Sequence, residues 1–229
     1  MSKLYIVATP IGNLADITFR AVEVLKAADL IACEDTRVSK KLLDHYQIKS
    51  QLISYHQHSQ PIKTEKIIEA LKDGRQVAVI TDAGTPGIAD PGNQLVAHVH
   101  RQLGQAVQII TIPGATAITA ALAIAGLPTD RFLFLGFLPH KKGKETMLKV
   151  IAASETTVGF YESTHRIIKT LEKLADYLDN SRPLVVCREL TKKFETIYRG
   201  HAREILQQLK SGETRGEFVV IVGGKRKTV

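Results

Sequence analysis

Three stretches of the chain set carboxylates beside cations: Glu34, Asp35 and Arg37; Glu162, His165 and Arg166; Arg188, Glu189, Lys192 and Lys193. Each lies at the end of a short apolar run that reads as a β-strand. A carboxylate placed this way can take a proton from a weakly acidic hydroxyl while the neighbouring cation stabilises the oxyanion that forms. Charges at strand ends are also ordinary solvated surface. It is their recurrence after three separate strands that favours chemistry. Histidine is the residue type suited to proton transfer near neutral pH, which makes His165 a candidate, yet at the start of a helical pattern it is equally a cap or a phosphate contact.

Two glycine-containing turns offer a different kind of site. VAVITDAGTPGIADPG, Val77 to Gly92, is a buried strand opening into a loop with three glycines, two prolines and two aspartates. Such a loop at the carboxyl end of a strand is where an open α/β sheet takes its ligand, because glycine lets backbone N–H and C=O groups approach closely. It lacks the Gly-Lys-Ser/Thr ending of a P-loop and the GxGxxG fingerprint, which disfavours ATP and NAD. IPGATAITAAL, Ile112 to Leu122, also follows a strand and starts a helix, leaving N–H groups at Ala115 to Ala117 for a carboxylate or an adenine nitrogen.

These segments need elements to hold them. Strands are predicted at Leu4 to Ala8, Leu30 to Cys33, Val77 to Ile80 and Val107 to Ile112. Between the first two, Ala21, Val24, Leu25 and Ala28 recur at helical spacing behind a Thr18 cap, and further helices suit Thr64 to Leu71, Gln94 to Gln102 and Ala115 to Ala125. This alternation is the rhythm of βαβ units feeding a parallel sheet. The Gly-Pro segment Gly126 to Arg131 marks a boundary, giving domains over 1–126 and 127–229. The second domain has strands at Phe132 to Gly136, Val158 to Tyr161, Leu184 to Arg188, Thr196 to Gly200 and Phe218 to Val222. Its amphipathic helix runs from Arg166 to Leu178, and a short helix stops at Ser211-Gly212. Its sheet is expected to be mixed.

With 31 Lys+Arg against 23 Asp+Glu the formal charge is +8 and the pI near 9.4, a balance that favours a polyanionic partner. Basic residues cluster at Arg37 to Lys41, His140 to Lys144, Arg188 to Lys193 and Lys225 to Lys227. HKKGK at His140 to Lys144 reads as a flexible loop that tracks phosphates. Aromatics are 6% of the chain and tryptophan is absent, so a row of base-stacking platforms is not expected, and recognition by shape and charge is favoured. The opening apolar run breaks at Pro10, too short for a signal peptide, and no run is long enough to span a membrane. Cys33 and Cys187, each inside an apolar run, read as small buried hydrophobes in a reducing cytoplasm.

The ordered set VATPIGNLADITFRAVEVLKAADLIACEDTR, TDAGTPGIADPG, PGATAITAAL, FLGFLP, FYESTHRI, CRELTKKFETIYRG and GEFVVIVGG, spread over essentially the whole chain, resembles the tetrapyrrole methylase family. The EDTR and ELTKKFE segments resemble its RNA-modifying branch. Tetrapyrrole-modifying members carry a GxGxGD loop after the first strand, whereas this chain has TPIGNLAD, keeping only Gly12 and Asp16. The resemblance implies two α/β domains with a mostly parallel N-terminal sheet and a mixed C-terminal one. It implies S-adenosyl-L-methionine held in the cleft between them by Pro10, Asp82, Gly84, Thr85, Ile88, Thr116, Ala117 and Tyr161, in a homodimer. The implied reaction is 2′-O-methylation of a cytidine in small-subunit ribosomal RNA, at the decoding centre of the assembled subunit. Such an in-line transfer requires no metal. It asks for a proton acceptor, Asp35 or Glu189, and a cation for the oxyanion, Arg37 or Lys192, and the sequence does not choose between the pairs. The rival readings are a methyltransferase for a tetrapyrrole precursor and a non-catalytic RNA-binding assembly factor.

Overall fold

A computed structural model describes residues 1–56, 61–90 and 92–225, so Arg226 and Lys227 of the basic tail and Pro91 of the glycine loop lie outside the described residues. The chain divides by its internal contacts into two units, Met1–Thr116 and Ala117–Val229. The division falls ahead of the alanine-rich helix, not at the Gly-Pro segment that follows it.

In the first unit the strands are β1 (Ser2–Val7), β2 (Leu30–Cys33), β3 (Gln51–Ser54), β4 (Gln76–Val79) and β5 (Val107–Ile112), and the helices are α1 (Phe19–Ala27), α2 (Thr36–His45), α3 (Pro61–Lys72) and α4 (Gly92–Leu103). The sheet order is β3-β2-β4-β1-β5 and every pair is parallel. Thr18 caps α1 by accepting from the Ala21 N–H at 3.1 Å, and Ala21 and Leu25 turn its apolar stripe onto the sheet. α1 and α2 cover one face, through Leu25 and Leu43 against Val7, Ile31 and Ala78. α3 and α4 cover the other, through Ile67, Leu71, Leu95 and Val99 against Leu4, Ala32 and Val79. The connections leaving β1 and β4 thus run to opposite faces and opposite edges. That makes the carboxyl ends of these neighbouring strands the switch point, where an open α/β sheet leaves a crevice for a ligand.

The second unit comprises α5 (Ala117–Ala125), β6 (Phe132–Phe137), α6 (Lys144–Ala153), β7 (Thr157–Ser163), α7 (Ile167–Tyr177), β8 (Leu184–Arg188), β9 (Thr196–Gly200), α8 (Ala202–Lys210) and β10 (Glu217–Val222). Its sheet, β6-β7-β10-β8-β9, is mixed as expected: β6 and β7 are parallel and the remaining pairs antiparallel. Leu148, Leu171, Leu174, Ile205 and Leu209 bring α6, α7 and α8 onto the face made by Val158, Phe160, Val186 and Val220. Ile118 of α5 packs where Gly159 carries no side chain.

Three elements were not expected from the sequence. β3 is a four-residue edge strand, too short for its alternation to stand out. The helix α2 is strongly polar and buries only Ser39, Leu42 and Leu43. The third, α6, starts inside HKKGK, so that segment is a loop only as far as Gly143. Cys33 and Cys187 are free and buried, each in a different sheet. Among the described residues no helix is long and apolar enough to cross a membrane.

Candidate functional site

In the first unit the loops that follow β1, β4 and β5 converge at the switch point. Thr9 and Gly84 exchange backbone bonds, the Thr9 N–H donating to the Gly84 carbonyl at 2.9 Å and the Gly84 N–H to the Thr9 carbonyl at 3.1 Å. The Thr85 hydroxyl donates to the Ala115 carbonyl at 3.1 Å, which ties the third loop to the second. Gly84 sits at φ +88°, where a side chain is strained, and a Cβ there would touch Ile11, Ala115 and Thr116. Pro10, Gly84, Thr85 and Thr116 are thereby gathered at one place. Ile88 lies at the outer rim of the loop, 44% exposed. Asp90, which the sequence did not single out, folds this loop back on itself: its Oδ1 accepts from the N–H groups of Gly87 and Gly92, each at 2.7 Å. The only signal for it was an aspartate between two glycines.

Acidic groups line the same end of the sheet. Asp82 Oδ1 accepts from the Asp35 N–H at 3.0 Å, and burial, with the nearby Glu34 and Asp35 charges, pushes the Asp82 carboxyl up. Glu34 Oε2 accepts from the Thr81 hydroxyl at 3.0 Å. Asp35 is the N-cap of α2: its Oδ1 accepts from the Arg37 N–H at 2.8 Å, and the Arg37 guanidinium grips both oxygens, the closest contact being 2.6 Å. Those bonds hold Asp35 at about 2, a weak base at neutral pH. The pair is local, two residues apart, and the Arg37 side chain is exposed.

Glu189 and Lys192 also meet, in the second unit, on the loop joining β8 to β9. Lys192 Nζ donates to Glu189 Oε1 and to Glu217 Oε2, both at 2.9 Å. Glu189 Oε1 also accepts from the Glu217 N–H at 2.9 Å, so these bonds converge on one oxygen and Oε2 takes part in none of them. Burial works against the Glu189 charge, but Lys192 and the Glu217 N–H outweigh it and the carboxyl lies below its ordinary range. Glu189 and Thr191 stand at φ +53° and +64°, a conformation costing a side-chain-bearing residue roughly 1–2 kcal/mol. Strain of this kind persists where the surroundings over-determine it, and it concentrates at functional loops. Gly216 makes room, since a Cβ there would run into the Glu189 side chain.

The other named residues divide. Glu162 is buried and accepts from the Thr170 hydroxyl at 2.7 Å and from Arg166 Nε at 3.1 Å. Arg166 also donates to the carbonyls of Leu138 and Pro139, at 2.5 and 3.2 Å. Both residues staple the loop after β6 to β7. His165 is exposed and is not the N-cap of α7, a position held by Arg166. Within HKKGK, Lys141 and Lys142 are exposed, but Lys144 is buried, its Nζ donating to Thr170 at 2.7 Å. Its place in the expected phosphate path is therefore corrected: a helix start has turned it inward, where it satisfies a hydroxyl also held by Glu162. At α5, the Tyr161 hydroxyl accepts from the Ile118 N–H at 3.2 Å, capping from within the unit the helix entry that Ala117 begins. The Tyr161 ring meets Phe134 and Phe137 edge-on, with centroids at 4.9 and 5.4 Å.

Comparison with known proteins gives the family and the fold. Ribosomal RNA small subunit methyltransferase I of Synechocystis sp. is 46% identical over 226 residues, covering 98% of this chain and 80% of that protein. The protein of the same name from Escherichia coli O157:H7 is 48% identical over 227 residues, covering 98% and 78%. Among solved structures, uroporphyrin-III C-methyltransferase from Thermus thermophilus, complexed with S-adenyl homocysteine, shares the fold with a TM-score of 0.67 at 19% identity, covering 96% of this chain and 97% of that one. A sequence profile of the tetrapyrrole (corrin/porphyrin) methylases matches residues 3–206, and the chain belongs to that family.

Proposed function

We propose that the protein transfers a methyl group from S-adenosylmethionine to the 2′-oxygen of a cytidine ribose in small-subunit ribosomal RNA. The observation that carries this is near-full-length identity of 46–48% to proteins named for small-subunit ribosomal RNA methylation. The methyl donor fits the residues present: at the switch point, backbone stands in for side chains around Gly84, where a Cβ would close the space against Ile11, Ala115 and Thr116. Pro10, Asp82, Gly84, Thr85, Ile88 and Thr116 of the first unit would hold it. When bound it supplies a methyl carbon made electrophilic by a sulfonium.

For the receiving side we assign Glu189 over Asp35. Asp35 is spent on its cap and on both contacts with Arg37, and at about 2 it has little proton affinity. Glu189 has an oxygen outside its internal bonds, and a cation beside it. Glu189 orients the ribose hydroxyl and accepts its proton as the 2′-oxygen bonds to the methyl carbon, the methyl–sulfur bond would break in the same step to leave S-adenosylhomocysteine, and Lys192 keeps the charge on that oxygen from building up. The substrate is the assembled small subunit at its decoding centre, and the enzyme acts as a homodimer in the cytoplasm. Lys141, Lys142, His165, Lys193 and Arg215, all exposed on the second unit, supply contacts for a polyanion.

The test is methyl transfer from labelled S-adenosylmethionine to small ribosomal subunits. Label should appear at one cytidine, and that linkage should resist alkali, since the 2′-oxygen that would attack the phosphate is capped. A substrate with 2′-deoxycytidine there should take no label. Label on the deoxy substrate, normal alkaline cleavage at the methylated position, or transfer to a tetrapyrrole precursor instead of RNA would overturn the reading.

A further inference from the structure

Phe194 is the one large apolar side chain of the β8–β9 loop that the fold leaves outside. Leu190 of the same loop is buried, as a loop residue with an apolar side chain normally is, while Phe194 is 65% exposed. Its backbone is nonetheless fixed. The buried Arg188 reaches up from β8 to donate to the Phe194 carbonyl at 3.2 Å and to the Arg215 carbonyl at 2.7 Å. The Thr196 hydroxyl donates to the Phe194 carbonyl at 3.2 Å as well. On its other side the loop closes through the Thr191 N–H bond to Glu195 at 2.6 Å and the Lys192 bridge between Glu189 and Glu217. Loops that only cover a surface do not carry two strained residues and a buried guanidinium in order to hold an apolar ring in water.

The surroundings of the ring say what it is held for. Lys193 Nζ lies 5.5 Å from the ring centroid. Lys192 is on the preceding turn, and Arg215 lies where Arg188 ties the neighbouring strand. A flat apolar face with an ammonium beside it suits a planar group that carries a phosphate with it, and an exposed aromatic next to a cation is how proteins stack unpaired bases. A core role is excluded by the exposure.

We propose that Phe194 is a stacking platform for an unpaired nucleobase of the substrate RNA, positioned by the buried Arg188, an inference that rests on the RNA-methylating reading above. Because Phe194 is on the same loop as Glu189 and Lys192, stacking there holds the target nucleotide or its neighbour within the loop that bears the proton acceptor.

The chain contains no tryptophan, so Phe194→Trp installs a single reporter. We expect its fluorescence to be quenched by a short oligocytidylate and not by an abasic oligomer of the same length and charge. Phe194→Ala should bind oligocytidylate about tenfold more weakly with an unchanged salt dependence, because a phenyl ring neutralises no phosphate, and Phe194→Tyr should restore the affinity. An unmoved Trp signal, equal quenching by both oligomers, native affinity in Phe194→Ala, or failure of Phe194→Tyr to rescue would each overturn the proposal. So would weakened binding to whole small subunits with unchanged binding to oligocytidylate, which would assign the ring to a protein contact. A wild-type protein that transfers no methyl to ribosomal RNA removes the function itself. A wild type that methylates RNA, and does so equally well as Phe194→Ala, removes only the platform.

Discussion

The two units solve the problem of binding in different materials. At the switch point of the first, the contacts are made by backbone: the reciprocal Thr9–Gly84 bonds, a glycine at positive φ, and Asp90 drawing two N–H groups together. The side chains around it, Glu34, Asp35 and Asp82, are acidic. At the loop end of the second unit the contacts are made by side chains, among them Arg188, Lys192 and Glu217, and exposed Lys193 and Arg215 stand among exposed Glu195, Glu213 and Glu217. A backbone cradle suits a compact ligand whose polar groups must be met at close range. A side-chain-built surface that presents exposed cations suits a long anion, whose phosphates they meet one by one. The two acid–cation pairs follow the same division: Asp35–Arg37 is a cap closed within three residues, whereas Glu189–Lys192 is completed by a strand distant in sequence.

That contrast is most directly broken by exchanging each carboxylate for its amide. Glu189→Gln should lower the rate of methyl transfer by about a hundredfold or more, the usual worth of a positioned proton acceptor, with S-adenosylmethionine affinity unchanged. Asp35→Asn keeps an N-cap residue and should stay within a few-fold of wild type. An equal loss in both, measured as kcat on small subunits, would erase the distinction.

Next in size is the cradle itself. Gly84→Val puts a branched side chain at φ +88° against Ile11 and Ala115. Calorimetry should show S-adenosylmethionine bound at least about tenfold more weakly while circular dichroism stays native. Unchanged affinity in a folded variant would move the cofactor away from this loop.

The lysines of HKKGK sharpen the comparison inside the second unit. Lys141→Ala with Lys142→Ala should flatten the salt dependence of RNA binding by about two units of logarithmic slope, one for each phosphate no longer neutralised. Lys144→Met should leave that slope alone and instead cost about 1–3 kcal/mol of stability in denaturant unfolding, because Thr170 loses its partner in the core.

The smallest effect is on stability against pH. Glu189 lies below its ordinary value of 4.5 in the folded protein. Its ion pair therefore stabilises the fold above that pH, and the contribution is lost as pH falls through the folded-state value. Wild type should exceed Glu189→Gln by no more than about 1 kcal/mol from pH 6 to 8, and the gap should close in acid. A gap that widened in acid would mean the pair is not formed.

Much of the architecture was legible in residue order. Runs such as Leu30–Cys33, Val107–Ile112 and Leu184–Arg188 are strands with the expected limits, because continuous β-branched and aliphatic stretches bounded by charge or glycine leave few alternatives. β3 and α2 escaped for the opposite reason, one being short and the other mostly polar, and α6 because its start inside HKKGK reads as loop; α2 and α6 form because neighbours offer Leu42, Leu43, Leu148 and Ile151 a surface to bury. The two glycine turns and the two acid–cation pairs were likewise visible as residues.

Sequence by itself determined most of the elements that form, that their first half winds into a parallel sheet, and that the ordered motifs belong to one family, since these depend on local periodicity and on residue identity. Whether a charge faces water or the core was decided only by the tertiary structure. Lys141 and Lys144 are three residues apart and alike in type, yet one is exposed and the other donates to Thr170. Asp35 and Glu189 are alike in chemistry, yet one is pinned at about 2 by the Arg37 side chain and its own helix cap while the other keeps an oxygen outside its bonds. The physical reason is that a side chain's solvation and partners come from segments far away in the chain, from Thr170 for Lys144 and from Glu217 for Glu189, and no local pattern encodes where those segments will lie.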